Sequence, residues 1–215
     1  MNSLVMYDRE TSSLWSQFLG EGVEGRFKGT KLQLVASQLL TWGEWKNQHP
    51  DTLLLDTGRS RPVRDSYMSY YFSGSAGIIG ETNTDDRLGP KELVVGVLRE
   101  TSQKAYPYRQ LASNPVVNDT LDGRELVVIM ELDGLATGVF DRRLDDRTLT
   151  FEQGAQPGDM NDSETGSTWD KLTGEAIEGS LKGKRLQKYP FIAAFWFAWT
   201  DFYPQTELYE PPEAP

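Results

Sequence analysis

Two pairs of carboxylates stand at alternate positions in nearly identical settings, Asp8 with Glu10 and Asp162 with Glu164. Residues two apart on an extended strand share a face, so each pair could hold a divalent cation or divide general-acid and general-base work. Each pair belongs to the string D-x-E-T-[SG]-S-x-W, which closes on Trp15 in one place and on Trp169 in the other. An indole at that point could line a groove or stack a sugar ring. Asp8, Glu10, Trp15, Asp162, Glu164 and Trp169 are therefore the candidate binding residues. Asp, Ser and Thr in such a string also satisfy the backbone donors of turns, and the occurrence of the motif twice favours that structural role over catalysis.

Other routes to chemistry are thin. His49 is the single histidine, placed at an expected helix end, and Tyr203 stands at the matching point of the other motif, which argues against a Ser-His-Asp system. One histidine and no cysteine leave zinc without its usual ligand set. Asp159-x-Asn161-x-Ser163 resembles the start of a calcium loop, but Glu164 occupies the position that needs glycine and Asp170 would replace the closing glutamate. Asp85-Asp86 and Asp145-Asp146 read as solvated turns. No catalytic residue or metal ligand emerges, no cofactor is implied, and a non-enzymatic role is expected.

The two motifs are parts of a longer correspondence. All six tryptophans pair at a spacing of 154 residues, Trp15 with Trp169, Trp42 with Trp196 and Trp45 with Trp199. Without a gap, 18 of the 48 positions from Asp8 to Leu55 match Asp162 to Tyr209, where a random identity rate of ~6% predicts about 3. Glycines, a proline and tryptophans dominate the matches, and those residues set backbone geometry and fill cores. An internal duplication of a scaffold is the reading. Trp42 with Trp45, and Trp196 with Trp199, lie three apart on one helix face and are expected in the core.

The elements that must position these residues are mostly strands. Residues 13 to 35 read as a meander: strands over Leu14–Phe18, around Gly22–Phe27 and over Lys31–Val35, with a turn at Lys28-Gly29-Thr30. Residues 167 to 189 repeat it. Thr41–Gln48 is an expected helix stopped at His49-Pro50, followed by a strand over Leu53–Leu55; Ala194–Phe202 and Glu207–Tyr209 are the counterparts. Between the motifs, ELVVGVLRE, Lys104–Leu111, a strand before Asp119 and ELVVIMEL carry further β signals, with Asp122-Gly123 as a hairpin turn. Gly134–Ala155 reads as two strands around Asp145-Asp146. Its counterpart would precede Met1, so the chain reads as cut from a longer protein, since a sheet lacking that hairpin would leave an open apolar edge.

The fold expected is a β-rich α+β domain of antiparallel meanders with short helices about a pseudo-two-fold axis. One domain spans residues 1–210: a first repeat at 1–56, an irregular excursion at 57–90, a β region at 91–134, and a second repeat with its leading hairpin at 135–210. The excursion is the first place to look for a site, because long connections in compact domains are often functional. The Pro- and Glu-rich tail at 211–215 is expected to be disordered.

A net charge of −10 across 215 residues argues against nucleic acid or an anionic membrane as partner. A small molecule or a protein, neutral or cationic, remains open. No secretion signal is visible in MNSLVMYDRE, and the longest apolar run, Phe191–Trp199, is far short of the ~20 residues that span a bilayer.

The runs LVMYDRETSSLWSQFLGEGVEG, TWGEWKNQHPDTLLL, DRLGPKELVVGV with KAYPY, and FWFAWTDFYPQTELY resemble the bacterial and archaeal family called domain of unknown function 3179. The resemblance covers nearly the whole chain and carries no established activity. It implies longer relatives with an additional N-terminal segment bearing a C-P-x-C-type motif, often behind a secretion or lipoprotein signal. Two functions then compete: a β-rich binding or scaffold module, extracytoplasmic or membrane-anchored in full-length form, and a redox or metal-dependent protein whose reactive cysteines lie in that segment.

Overall fold

The computed structural model describes residues 3–56, 58, 68–77, 80–131 and 136–211. It is mostly β with short helices, arranged in several small sheets that are antiparallel with one exception. β1 (Val5–Asp8), β2 (Ser13–Ser16) and β3 (Glu21–Glu24) form a meander, followed by α1 (Trp42–Gln48) and α2 (Met68–Phe72). β4 (Leu93–Leu98), β5 (Gln103–Pro107), α3 (Tyr108–Ser113), β6 (Val116–Leu121), β7 (Arg124–Met130) and β8 (Thr137–Asp141) build the centre. Two short strands, β9 (Arg143–Leu144) and β10 (Arg147–Thr148), then lead to β11 (Phe151–Gln153), β12 (Asp159–Asp162), β13 (Thr168–Asp170) and β14 (Ala176–Glu178). The chain closes with β15 (Ile192–Phe195), α4 (Trp196–Phe202) and β16 (Glu207–Leu208).

The centre stacks in layers because its strands are apolar on both faces. Along β7, Leu126, Val128 and Met130 face the sheet β15-β4-β5-β16, meeting Val95, Val97 and Tyr106. Val127 and Ile129 point the opposite way, to Phe151, Met160 and Trp169 of the sheet β11-β12-β13-β14. On the far side of β4, Val94 packs with Trp196 and Trp199 of α4. Gly96 permits that contact, since a Cβ there would lie 2.1 Å from the Trp199 ring. Each fully buried apolar side chain of this stack contributes about 1.5–3 kcal/mol.

The N-terminal segment stands outside those layers. Phe18 alone of its residues packs against a core cluster, stacked on Phe202 at 4.7 Å, with Tyr203 Oη donating to the Phe18 carbonyl at 2.7 Å. A bridge from Leu39 to Thr137 and a bond from Lys188 Nζ to Gln38 Oε1 fasten its far end.

Several expectations change. No third strand forms over Lys31–Val35, where a single bridge joins Lys31 to Glu21. Leu53–Leu55 is not a strand, and its side chains are exposed; its counterpart β16 exists because β5 lies beside it in parallel register. Phe191–Trp199 is split into the end strand β15 and the start of α4. Asp159–Asp162, weighed above and rejected as the start of a calcium loop, is strand β12. Trp196 and Trp199 are buried as expected, whereas Trp42 and Trp45 are exposed, because nothing described covers that face of α1. Residues 57, 59–67, 78 and 79 of the excursion and residues 212–215 of the tail lie outside the described residues.

Candidate binding face

The repeated string builds the same turn twice. In the second segment Asp162 closes β12 and accepts from Thr165 N at 2.6 Å, Thr165 Oγ1 at 2.9 Å, Ser167 N at 3.2 Å and Trp169 Nε1 at 2.9 Å. Thr165 Oγ1 lies 2.7 Å from Ser167 Oγ, which also accepts from Leu181 N at 3.2 Å. In the first segment Asp8 accepts from Glu10 N at 2.9 Å and from Thr11 Oγ1, while Thr11 lies 2.7 Å from Ser13 Oγ, which accepts from Phe27 N at 3.2 Å. These donors, Thr11 first and then the Glu10 amide, hold the Asp8 carboxyl below the ordinary carboxylate range.

Pairing follows the same register. Met6 faces Trp15 and Trp15 faces Gly22; Met160 faces Trp169 and Trp169 faces Ala176, with a bulge before the indole in both. Gly25 and Gly179 explain the shared E-G step. Both have positive φ, and a Cβ at Gly179 would sit 2.7 Å from the Ser167 Cα. Further on, Trp45 Nε1 donates to Thr52 Oγ1 at 2.8 Å and Trp199 Nε1 to Thr206 Oγ1 at 2.9 Å.

What differs is the cover. Trp169 is fully buried, with Phe151 of β11 edge-on at 5.7 Å. Trp15 is only partly buried and meets Phe27 of its own meander at 5.7 Å. Met160 and Leu186 are buried at 0% and 2%, and their counterparts Met6 and Leu32 are exposed at 41% and 47%. Trp196 and Trp199 are exposed by 1% and 0%, against 51% and 41% for Trp42 and Trp45. Val5, Val35, Leu39 and Leu53–Leu55 are exposed as well. Shallow hollows lie beside α1, one of ≈ 480 Å³ between Leu39, Trp42 and Trp45, and one of ≈ 370 Å³ beside Trp45 and His49, whose ring lies 4.1 Å from that indole.

The carboxylates at the third motif position also diverge. Glu164 accepts from Thr150 N at 2.8 Å while Ser163 N donates to the Thr150 carbonyl at 2.9 Å, so the turn clamps both backbone groups of the residue that leads into β11. Glu10 and Arg9, at the same points of the first turn, are exposed, and no described residue meets the Glu10 carboxylate. The six candidates are thus divided between two turns, and among the described residues only the second joins its Trp to the Asp carboxylate. Sequence reasoning missed Thr150, because its part is played by backbone atoms that carry no residue signature. It also missed Lys171, buried with Nζ bonded to Gln153 Oε1 at 3.0 Å and the Met130 carbonyl at 3.3 Å; burial lowers its proton affinity.

A third hollow, of ≈ 480 Å³ between Phe18, Leu34, Val35 and the β15–α4 junction, has no ionisable lining residue. Among the described residues no group of three or more His, Asp or Glu side chains is placed to hold a metal ion, and no helix is long and apolar enough to cross a membrane.

These features define a class: a β-rich domain of small sheets whose first segment exposes large apolar side chains. The chain belongs to the DUF3179 family, described as proteins of unknown function, whose model matches residues 1–206. No curated protein and no solved structure matches it.

Proposed function

We propose that this domain is an internally duplicated, pseudo-two-fold β-rich binding or scaffold module, and that its first repeat, residues 1–56, presents a protein-docking face. One observation carries the reading. The same motif, folded with the same turn and register, is sealed under β11 and the central sheet in the second segment and left open in the first. An apolar surface holding two tryptophans at 51% and 41% exposure is costly to leave in water and marks an interaction site. Binding rather than catalysis is favoured because the Asp8 and Asp162 carboxylates are engaged by turn donors. Of the six candidate residues, Glu10 and Trp15 belong to the docking face, Asp8 shapes it, and Asp162, Glu164 and Trp169 form its sealed equivalent.

Photo-crosslinking tests the reading in the producing cell. A photoreactive residue at position 45 is expected to give one defined protein adduct, and the same residue at position 198, inside α4, none. Absence of an adduct from position 45, or an indiscriminate smear, overturns it.

A further inference from the structure

We infer that the docking face is completed by an added β-strand, which pairs antiparallel with the free edge of β1 and is clamped by Arg9 and Glu10. This inference rests on the binding-face reading and names its occupant. Among the described residues β1 is the outer strand of β1-β2-β3, with β2 on one side only, whereas its counterpart β12 lies between β13 and β11. An unpaired edge strand with apolar side chains is a template for another strand. Val5, Met6 and Tyr7 are all exposed along it.

The second segment shows the chemistry that fits. There β11 sets Phe151 opposite Asp162, Glu152 opposite Asn161 and Gln153 opposite Met160. Phe151 covers the indole of Trp169, and the residue before it is held through both backbone groups by Ser163 N and the Glu164 carboxylate. Transferred by the 154-residue spacing, the incoming strand places an aromatic side chain opposite Asp8 and over Trp15, with polar residues opposite Tyr7 and Met6. Its preceding residue donates an N–H to Glu10 and accepts from Arg9 N–H. Glu10 then acts as the counterpart of Glu164, which explains why the motif retains a glutamate that no described residue meets.

Charge selects among occupants. Two copies of a chain of net charge −10 repel one another, and β11 of a second copy is already paired with its own β12. Among the described residues none fills this edge, and the occupant is a neutral or basic strand-forming segment of a partner protein. Backbone bonds to β1 supply affinity, and the half-buried indole of Trp15 selects the aromatic residue.

A synthetic peptide of residues 147–155, Arg-Thr-Leu-Thr-Phe-Glu-Gln-Gly-Ala, is the probe, added to the intact 215-residue protein. Saturable binding is expected, with slowed hydrogen exchange at the outward amides of β1. Replacing the peptide phenylalanine with alanine is expected to abolish it, and Glu10→Ala in the protein to weaken it about five- to tenfold. Because Glu10 is exposed, that variant keeps its fold, checked by an unchanged melting temperature. Absence of β1 protection at saturating peptide overturns the inference, as does binding indifferent to both substitutions. A sedimentation dimer whose β1 amides are protected without peptide also overturns it, by making a second copy the occupant. Should the peptide fail while position 45 still gives its single adduct, the strand falls and the docking face stands; if both fail, both fall.

Discussion

The turn at residues 8–15 and the turn at residues 162–169 are local twins in opposite surroundings. Both cap an Asp carboxylate with a threonine hydroxyl and set a tryptophan behind a bulge. One tryptophan is sealed between sheets and the other is partly open. The comparison teaches that the motif encodes backbone shape and leaves burial to whatever lies alongside. Its consequence is a graded asymmetry: equal substitutions at positions 154 residues apart should have unequal effects.

The largest asymmetry is expected in the helices. Trp199→Ala removes a fully buried indole and leaves Thr206 Oγ1 and the hollow above Gly96 unfilled, at a cost of about 3–5 kcal/mol. Trp45→Ala, on the exposed counterpart, should cost under about 1 kcal/mol. Urea unfolding of the two variants measures both, and equal losses would break the comparison.

Next come the capping carboxylates. Asp162→Ala strands the buried Trp169 indole N–H and the Thr165 amide, costing about 2–3 kcal/mol. Asp8→Ala frees groups that water can reach and should be much milder by the same measurement.

Glycine sharpens the contrast within the second segment itself. Gly179→Ala drives a methyl into Ser167 at positive φ, while Gly183→Ala, also at positive φ, meets nothing within 4 Å. The first should lower the melting temperature more than the second, and the difference isolates the close approach from the dihedral strain.

The smallest effect is that of acid. The Asp8 carboxyl is held below its ordinary value of 3.8, so it binds its proton more weakly folded than unfolded. Its stabilisation is therefore fully present above pH 3.8 and is lost as pH falls through the lower, folded value. Asp8→Asn should flatten that part of the stability curve, read by unfolding at a series of acid pH values, and an unchanged slope would remove Asp8 from the account.

Much of the architecture was legible. Asp122-Gly123 announced the β6–β7 hairpin, and both residues take positive φ as that turn requires. Thr41 to Gln48 announced α1, whose N-cap Thr41 and Glu44 form a capping box, and His49-Pro50 ends it. The candidate face was legible only in outline: its Asp, Glu and Trp were named, but not that one set is sealed and the other open. Leu53–Leu55 has the apolar character of a strand and is none, because a strand needs a neighbour and no described strand lies beside it. Trp42 and Trp45 have the helical spacing of core residues and lie exposed for the same reason.

By itself, then, the sequence determined what depends on near neighbours: turns, caps, the glycines at close approach, the β-rich character and the 154-residue correspondence. Tertiary structure alone decided which twin is buried, which edge is paired and which glutamate has a strand to hold. The physical reason is range. A turn is closed by atoms a few residues apart, whereas burial needs whole elements laid over it: at Trp169 these are β7 from a separate sheet and β11 from the adjoining hairpin, and neither covers Trp15 among the described residues.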